Sequence, residues 1–323
     1  MTRTRVGGSA NVARSTAHSA RGEKAQANPA TSKAVLNRLQ LLVSRRLDGL
    51  LQGDYLGLLP GPGSEAGESR EYFAGDDVRR MDWPVTARTT IPHVRLTVAD
   101  RELETWLAVD LSASMDFGTA GMLKRDLALA ASAAMIHLTV RGGNRAGAVI
   151  GPGDGSLIHR PARGGRLAAQ ALLRSIAATG SKPGRASLGD LIDALNRPPR
   201  RRGLAVVVSD FLPPPQEWER PLRKLARRHD VLAVEVADPR ELELPDVGVL
   251  EILDPETGAV HDIQTANGWL RERYAKAARE QRAGIAAAVR AAGAHQMRLR
   301  TDSDWLSDLV RFVAVQRHRR RRS

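Results

Sequence analysis

The feature that most constrains this chain is an alternation that begins near Glu102 and continues almost to its end. Short aliphatic runs alternate with longer segments whose apolar residues recur at helical spacing. Residues 103–111, 145–150, 204–211, 231–237 and 295–300 read as strands. Residues 123–140, 166–178, 187–196, 216–228, 267–292 and 304–316 read as helices. Residues 155–160 read as a short edge strand, and 249–263 as a hairpin around Asp254-Pro255-Glu256-Thr257-Gly258. Strands that alternate with helices form a mostly parallel sheet covered on both faces, so the expected fold class is α/β and Rossmann-like. The run Leu-Ala-Val-Val-Val-Ser-Asp-Phe at 204–211 is the clearest buried strand.

The region before this alternation has a different character. Residues 1–32 are rich in Arg, Ser, Ala and Thr and read as a disordered basic arm. Within 32–51, Leu36, Leu39, Leu42, Val43 and Leu47 recur at helical spacing and predict an amphipathic helix. A Gly/Pro/Ser/Glu loop at 57–69 leads into a stretch at 70–101 that is dense in charge and aromatics and has few helix signals. The expected organisation is therefore an arm (1–32), an N-terminal helix with the charged segment (33–101), one α/β domain (102–316) and a basic tail (317–323).

Charge and composition narrow the function classes. The formal net charge is +13 over 323 residues, but residues 1–33 and 317–323 each carry net +5, leaving +3 on the body. Basic tails of this kind suit weak, salt-sensitive contact with nucleic acid or an anionic surface, or they keep the protein soluble. Aromatics make up only 4% of the chain, which disfavours a stacking platform for single-stranded nucleic acid. There is no cysteine, so disulfides, zinc–thiolate sites and thiol catalysis are excluded. No apolar run approaches the ~20 residues of a membrane span, and the N-terminus lacks the apolar core of a signal peptide. Cytoplasmic localisation is the expectation.

Two strands end in oxygen-bearing side chains. The first runs into Asp110-Leu111-Ser112-Ala113-Ser114 and the second into Ser209-Asp210. In an extended segment a spacing of two sends Asp110, Ser112 and Ser114 to one side. Hard oxygen donors at a strand end suit Mg²⁺, or Mn²⁺ or Ca²⁺. If the two strands neighbour each other, the Asp110 and Asp210 carboxylates come together and repel unless a cation joins them. The plainer alternative is a polar turn after a buried strand, with a serine capping the next helix.

This Asp-x-Ser-x-Ser loop, followed by a late strand ending in Asp210, resembles the metal-ion-dependent adhesion site of a von Willebrand factor A domain over roughly residues 100–300. The resemblance implies metal ligands at Asp110, Ser112 and Ser114, a Thr from a second loop, and Asp210 from a third. The second loop departs from the pattern. Ala186 stands at the Thr position, and Ser187, one residue on, is the hydroxyl available.

A second resemblance is longer. Arg70-Glu71-Tyr72-Phe73, then Gly75-Asp76-Asp77, Arg79-Arg80-Met81-Asp82-Trp83 and Ala87-Arg88 are similar to the signature of the DUF58 family. Members join this segment to a von Willebrand A-like domain and typically lie beside a MoxR-type AAA+ ATPase. The resemblance therefore implies that ATPase and a client protein as partners, in assembly or maturation of protein complexes. Many members also carry two N-terminal membrane helices, which this chain lacks. Read from the residues alone, Gly75-Asp76-Asp77 is a tight-turn signal. Asp76, Asp77 and Asp82 could pair with Arg70, Arg79, Arg80 and Arg88, with Tyr72 and Trp83 as packing anchors. The segment either welds itself to the domain or offers Arg79, Arg88 or Asp77 to a partner.

Other chemistry is poorly supported. There is no G-x-x-x-x-G-K-[ST] loop, no G-x-S-x-G elbow and no His pair at metal spacing. The expected function is a non-enzymatic interaction module with no evident small-molecule substrate. The alternatives are a Mg²⁺-dependent phosphate hydrolase built on Asp110, and binding of nucleic acid or anionic surfaces through the tails.

Overall fold

The computed structural model describes residues 69–73, 76, 78, 81–95, 104–184, 187–197, 203–253 and 260–320. The predicted arm, the predicted helix at 32–51, and Gly75, Asp77, Arg79 and Arg80 lie outside the described residues, as do 321–323 of the tail.

The body is a six-stranded sheet. Its strands are β3 (Glu104–Asp110), β4 (Arg145–Gly151), β5 (Ile158–Arg163), β6 (Leu204–Ser209), β7 (Asp230–Ala237) and β10 (His295–Arg300), in the order β10-β7-β6-β3-β4-β5. All neighbours run parallel except β5, which pairs antiparallel with β4 at one edge. Outside this sheet, β1 (Ser69–Glu71) pairs with β2 (His93–Arg95), and β8 (Val249–Leu253) with β9 (Val260–Gln264). The helices are α1 (Trp83–Thr89), α2 (Lys124–Arg141), α3 (Arg166–Ala178), α4 (Leu188–Leu195), α5 (Pro215–Ala226), α6 (Gly268–Ala291) and α7 (Trp305–Arg320). The mostly parallel, helix-flanked sheet read from the sequence is the one observed.

Strand periodicity sorts the core into two layers. Leu107 and Val109 of β3, with Val206 and Val208 of β6, face α2, α3 and α7. Trp106 and Ala108, with Ala205 and Val207, face α4, α5 and α6. The alanine-rich α2 is buried on nearly every side, from Leu127 to Leu138. Small side chains let it lie close to the sheet, which explains how a chain so poor in aromatics fills its interior.

The edge strand differs from expectation. It spans Ile158–Arg163 rather than 155–160 and includes Pro161. A proline lacks an N–H, but on an edge that donor would face solvent, so the strand continues through it. The last helix also runs four residues past the expected end at 316, to Arg320.

The order of strands fixes the site. From β3 the chain moves to β4 on one side, and later to β6 on the other. Strand order thus reverses between β3 and β6, and in an open α/β sheet ligands bind beyond the carboxyl ends at such a point. Asp110 ends β3, and Ser209 ends β6.

Candidate metal centre

Asp110 is held from two sides. One carboxylate oxygen accepts the Ser112 backbone N–H at 3.0 Å, and the other accepts the Ser209 hydroxyl at 2.7 Å. Ser209 Oγ in turn accepts the Phe211 N–H at 3.1 Å. Burial and the neighbouring Asp210 carboxylate push the Asp110 carboxyl above its ordinary value, while the bonds from Ser209 and Ser112 act the other way.

Ser112 and Ser114 do not share a side because the segment is extended. A short 3-10 helix at Ala113–Asp116 bends it, and the two hydroxyls lie 3.3 Å apart. Ser112 stands at the N-cap of that turn, yet its side chain makes no capping bond. The plain capping role is therefore not the one Ser112 plays.

Ser187 caps α4, its Oγ accepting the Asp190 N–H at 3.1 Å. Residues 185 and 186 lie outside the described residues. Asp210 follows β6 and is almost fully buried. One oxygen accepts the Leu212 N–H at 3.2 Å, and the other accepts the Lys124 ammonium at 2.8 Å. The next residue, Phe211, adopts φ 54°, a left-handed conformation that is strained for a bulky side chain. Its ring is buried edge-on against Trp218, with centroids 5.2 Å apart, and this packing holds the turn.

The structure brings Asp110, Ser112, Ser114, Ser187 and Asp210 to the wall of one cleft of about 270 Å³. Gly153, at φ 115°, closes one side, where a Cβ would meet Lys182 O at 2.7 Å and Ser112 Cα at 3.1 Å. Asp190 and Glu217 also line the cleft, and neither stood out in the sequence. Its described lining includes no Lys, Arg or His.

Behind the cleft lies a charge network that the sequence did not suggest. Lys124 donates to Glu241 as well as Asp210. Arg282 donates to Glu235 at 3.1 Å, to Glu241 at 3.2 Å and to the Asp210 carbonyl at 3.0 Å. Arg298 reaches Glu235 at 2.9 Å. Asp210, Glu235 and Glu241 are thus matched by Lys124, Arg282 and Arg298. Among the described residues, Asp110 receives only hydroxyl and amide donors.

The sequence pattern of one family, "protein of unknown function DUF58", matches residues 68–284. The chain belongs to the DUF58 family. This DUF58 chain is 56% identical over 286 residues to uncharacterised proteins of Mycobacterium tuberculosis and Mycobacterium bovis, covering 88% of this chain and 89% of each relative. Among solved structures, the hypothetical protein BatB of Bacteroides thetaiotaomicron is 16% identical, with a TM-score of 0.42 over 68% of this chain and all of that one. The SpRpn10 VWA domain is 14% identical, with a TM-score of 0.38 over 65% of this chain and 94% of its own.

The DUF58 signature is partly visible. Asp82 is buried, caps α1 through the Val85 N–H at 3.4 Å, and accepts the Ser69 hydroxyl at 2.6 Å. Asp76 accepts the Phe73 N–H at 2.9 Å and closes a turn with its own N–H on Phe73 O. Arg88 is exposed in the last turn of α1. Nothing is described of the Arg70 side chain, while its backbone pairs with Val94. Tyr72 is half-buried, but Trp83 is 67% exposed and is not the packing anchor expected of it. Asp82 takes the inward position as helix cap, which leaves Trp83 at the first helical turn pointing outward. Among the described residues of this small unit, Val94 is the buried apolar one.

Proposed function

We propose that this chain is a non-enzymatic protein-interaction module whose docking surface is a divalent-cation site at the β3–β6 switch point. The donor set supports this reading. It is all oxygen, carboxylates and serine hydroxyls on the wall of one cleft. Such a site suits a hard ion that keeps several waters, as Mg²⁺ does, with Mn²⁺ or Ca²⁺ as substitutes. Asp110, Ser112, Ser114 and Ser187 would hold the ion, with Asp210 completing the acidic wall. When bound, it supplies an open coordination position that a carboxylate of a partner protein fills.

The single observation that carries the proposal is the gathering of these five oxygen donors in one cleft, where among the described residues the buried Asp110 carboxylate has no cationic partner. A phosphate hydrolase is less well supported, because the described lining offers no basic side chain to grip a phosphate. Membership of the DUF58 family makes a MoxR-type AAA+ ATPase, together with its client, the partner to test. No described helix is long and apolar enough to cross a membrane, and we place the protein in the cytoplasm.

The test is capture of a purified MoxR-type AAA+ ATPase by the full chain, with Mg²⁺ and with excess chelator. Binding is expected only with Mg²⁺, and Asp110→Ala should abolish it while the circular dichroism spectrum stays native. Undiminished binding in chelator would refute the reading.

A further inference from the structure

Lys124 is the least expected residue of the interior. Its side chain is 1% exposed, and its ammonium sits 2.8 Å from an Asp210 oxygen. The ammonium is held between two carboxylates, Asp210 and Glu241. Lys124 therefore keeps its charge. It is the first residue of α2, so the segment that supplies Ser112 and Ser114 also supplies the cation behind Asp210. The helix N-terminus adds partial positive charge at the same place.

We propose that Lys124 is a tethered counter-ion that sets the cation affinity of the cleft. Its ammonium occupies Asp210 where a metal would otherwise draw on that carboxylate. Of the two buried carboxylates of the cleft, the divalent ion is then left with Asp110, beside a set of hydroxyls. Such a site binds the ion weakly by itself, and a partner's carboxylate completes it. The arrangement also lets the site fold without metal, because Asp210 and Glu241 are already neutralised. The inference rests on the reading of the cleft as a cation site and adds that its weakness is built in by a residue that touches no ligand.

The experiment titrates the full-length wild type, Lys124→Met and the double variant Lys124→Met/Asp210→Asn with Mg²⁺ by calorimetry. Thermal midpoints are recorded with Mg²⁺ and with EDTA. The wild-type midpoint should rise only slightly from EDTA to Mg²⁺, as weak binding to the folded state requires. Lys124→Met should bind Mg²⁺ about tenfold tighter or more, since a nearby like charge is gone, and its midpoint should fall in EDTA and recover with Mg²⁺. The double variant removes both charges with little change of shape and should return to wild-type affinity and to the small wild-type midpoint shift. A Lys124→Met protein that folds and binds Mg²⁺ no tighter than wild type overturns the inference while leaving the cation site standing. If Lys124→Met does not fold in EDTA, Mg²⁺ decides: a native circular dichroism spectrum regained with Mg²⁺ but not with NaCl of equal ionic strength supports the counter-ion role, and no recovery overturns it. Absence of Mg²⁺ binding in the wild type and every variant overturns both the inference and the reading beneath it.

Discussion

At the scale of single residues, Asp238 shows how much one buried carboxylate can organise. It is fully buried just past β7 and accepts four bonds: the Thr119 N–H at 2.8 Å, the Thr119 hydroxyl at 2.6 Å, the Arg240 N–H at 2.9 Å and the Thr301 hydroxyl at 2.7 Å. Burial acts to raise its pKa, but these bonds outweigh it and hold the carboxyl below its ordinary 3.8. The folded-state value is therefore depressed. The stabilisation is complete above the unfolded value and is lost as pH falls below it toward the folded value. Asp238→Asn turns an amide toward donors and should cost about 1–3 kcal/mol at neutral pH. Urea unfolding at pH 7 and pH 3 checks this: the variant should lose less on acidification than wild type, and equal losses would contradict the account. Asp238-Pro239-Arg240-Glu241 reads in sequence only as a short helix-start capping box. The importance of Asp238 appears only when Thr119 and Thr301, which are far away in the chain, close around it.

At the scale of elements, the parts that repeat a period were legible and the parts that do not were missed. Residues 166–178 and 295–300 are observed with the bounds expected, because their apolar positions recur over several turns or alternate along the strand. The pairing of β1 with β2 was not foreseen, since three-residue strands carry no period. The seven-residue α1 was missed too, although Asp82-Trp83-Pro84 is a helix-start signal, with an N-cap acid and a proline in the first turn. The cleft walls show the same limit. Ser187 was visible as a hydroxyl, but the contact that sets it depends on Gly189, where a Cβ would stand 2.3 Å from the Glu217 carbonyl. That close approach lets the start of α4 lie against the start of α5. Gly189→Ala should therefore push the two helices apart, cost about 1–3 kcal/mol, and weaken Mg²⁺ binding by displacing Ser187. Chemical denaturation and calorimetry read both effects; an unchanged unfolding midpoint would show that the helices give way freely.

At the scale of the whole molecule, the fold places oxygen donors from separate loops at one switch point and backs them with a buried charge network. Asp110, Ser112, Ser114 and Asp210 were legible because they sit at strand ends in a recognisable spacing. Lys124, Glu235, Glu241 and Arg282 were not. In sequence they are ordinary charged residues, and only the packing of α2 and α6 against the sheet turns them inward. The consequence is a cleft whose buried Asp210 is already ion-paired, while among the described residues its buried Asp110 meets only hydroxyl and amide donors. The most direct measurement is a calorimetric titration of the full chain with Mg²⁺, comparing wild type with Asp110→Ala and following circular dichroism in parallel. The account predicts saturable binding by the wild type, none by Asp110→Ala, and native spectra for both. Equal Mg²⁺ binding by the two proteins, or none by either, would contradict it.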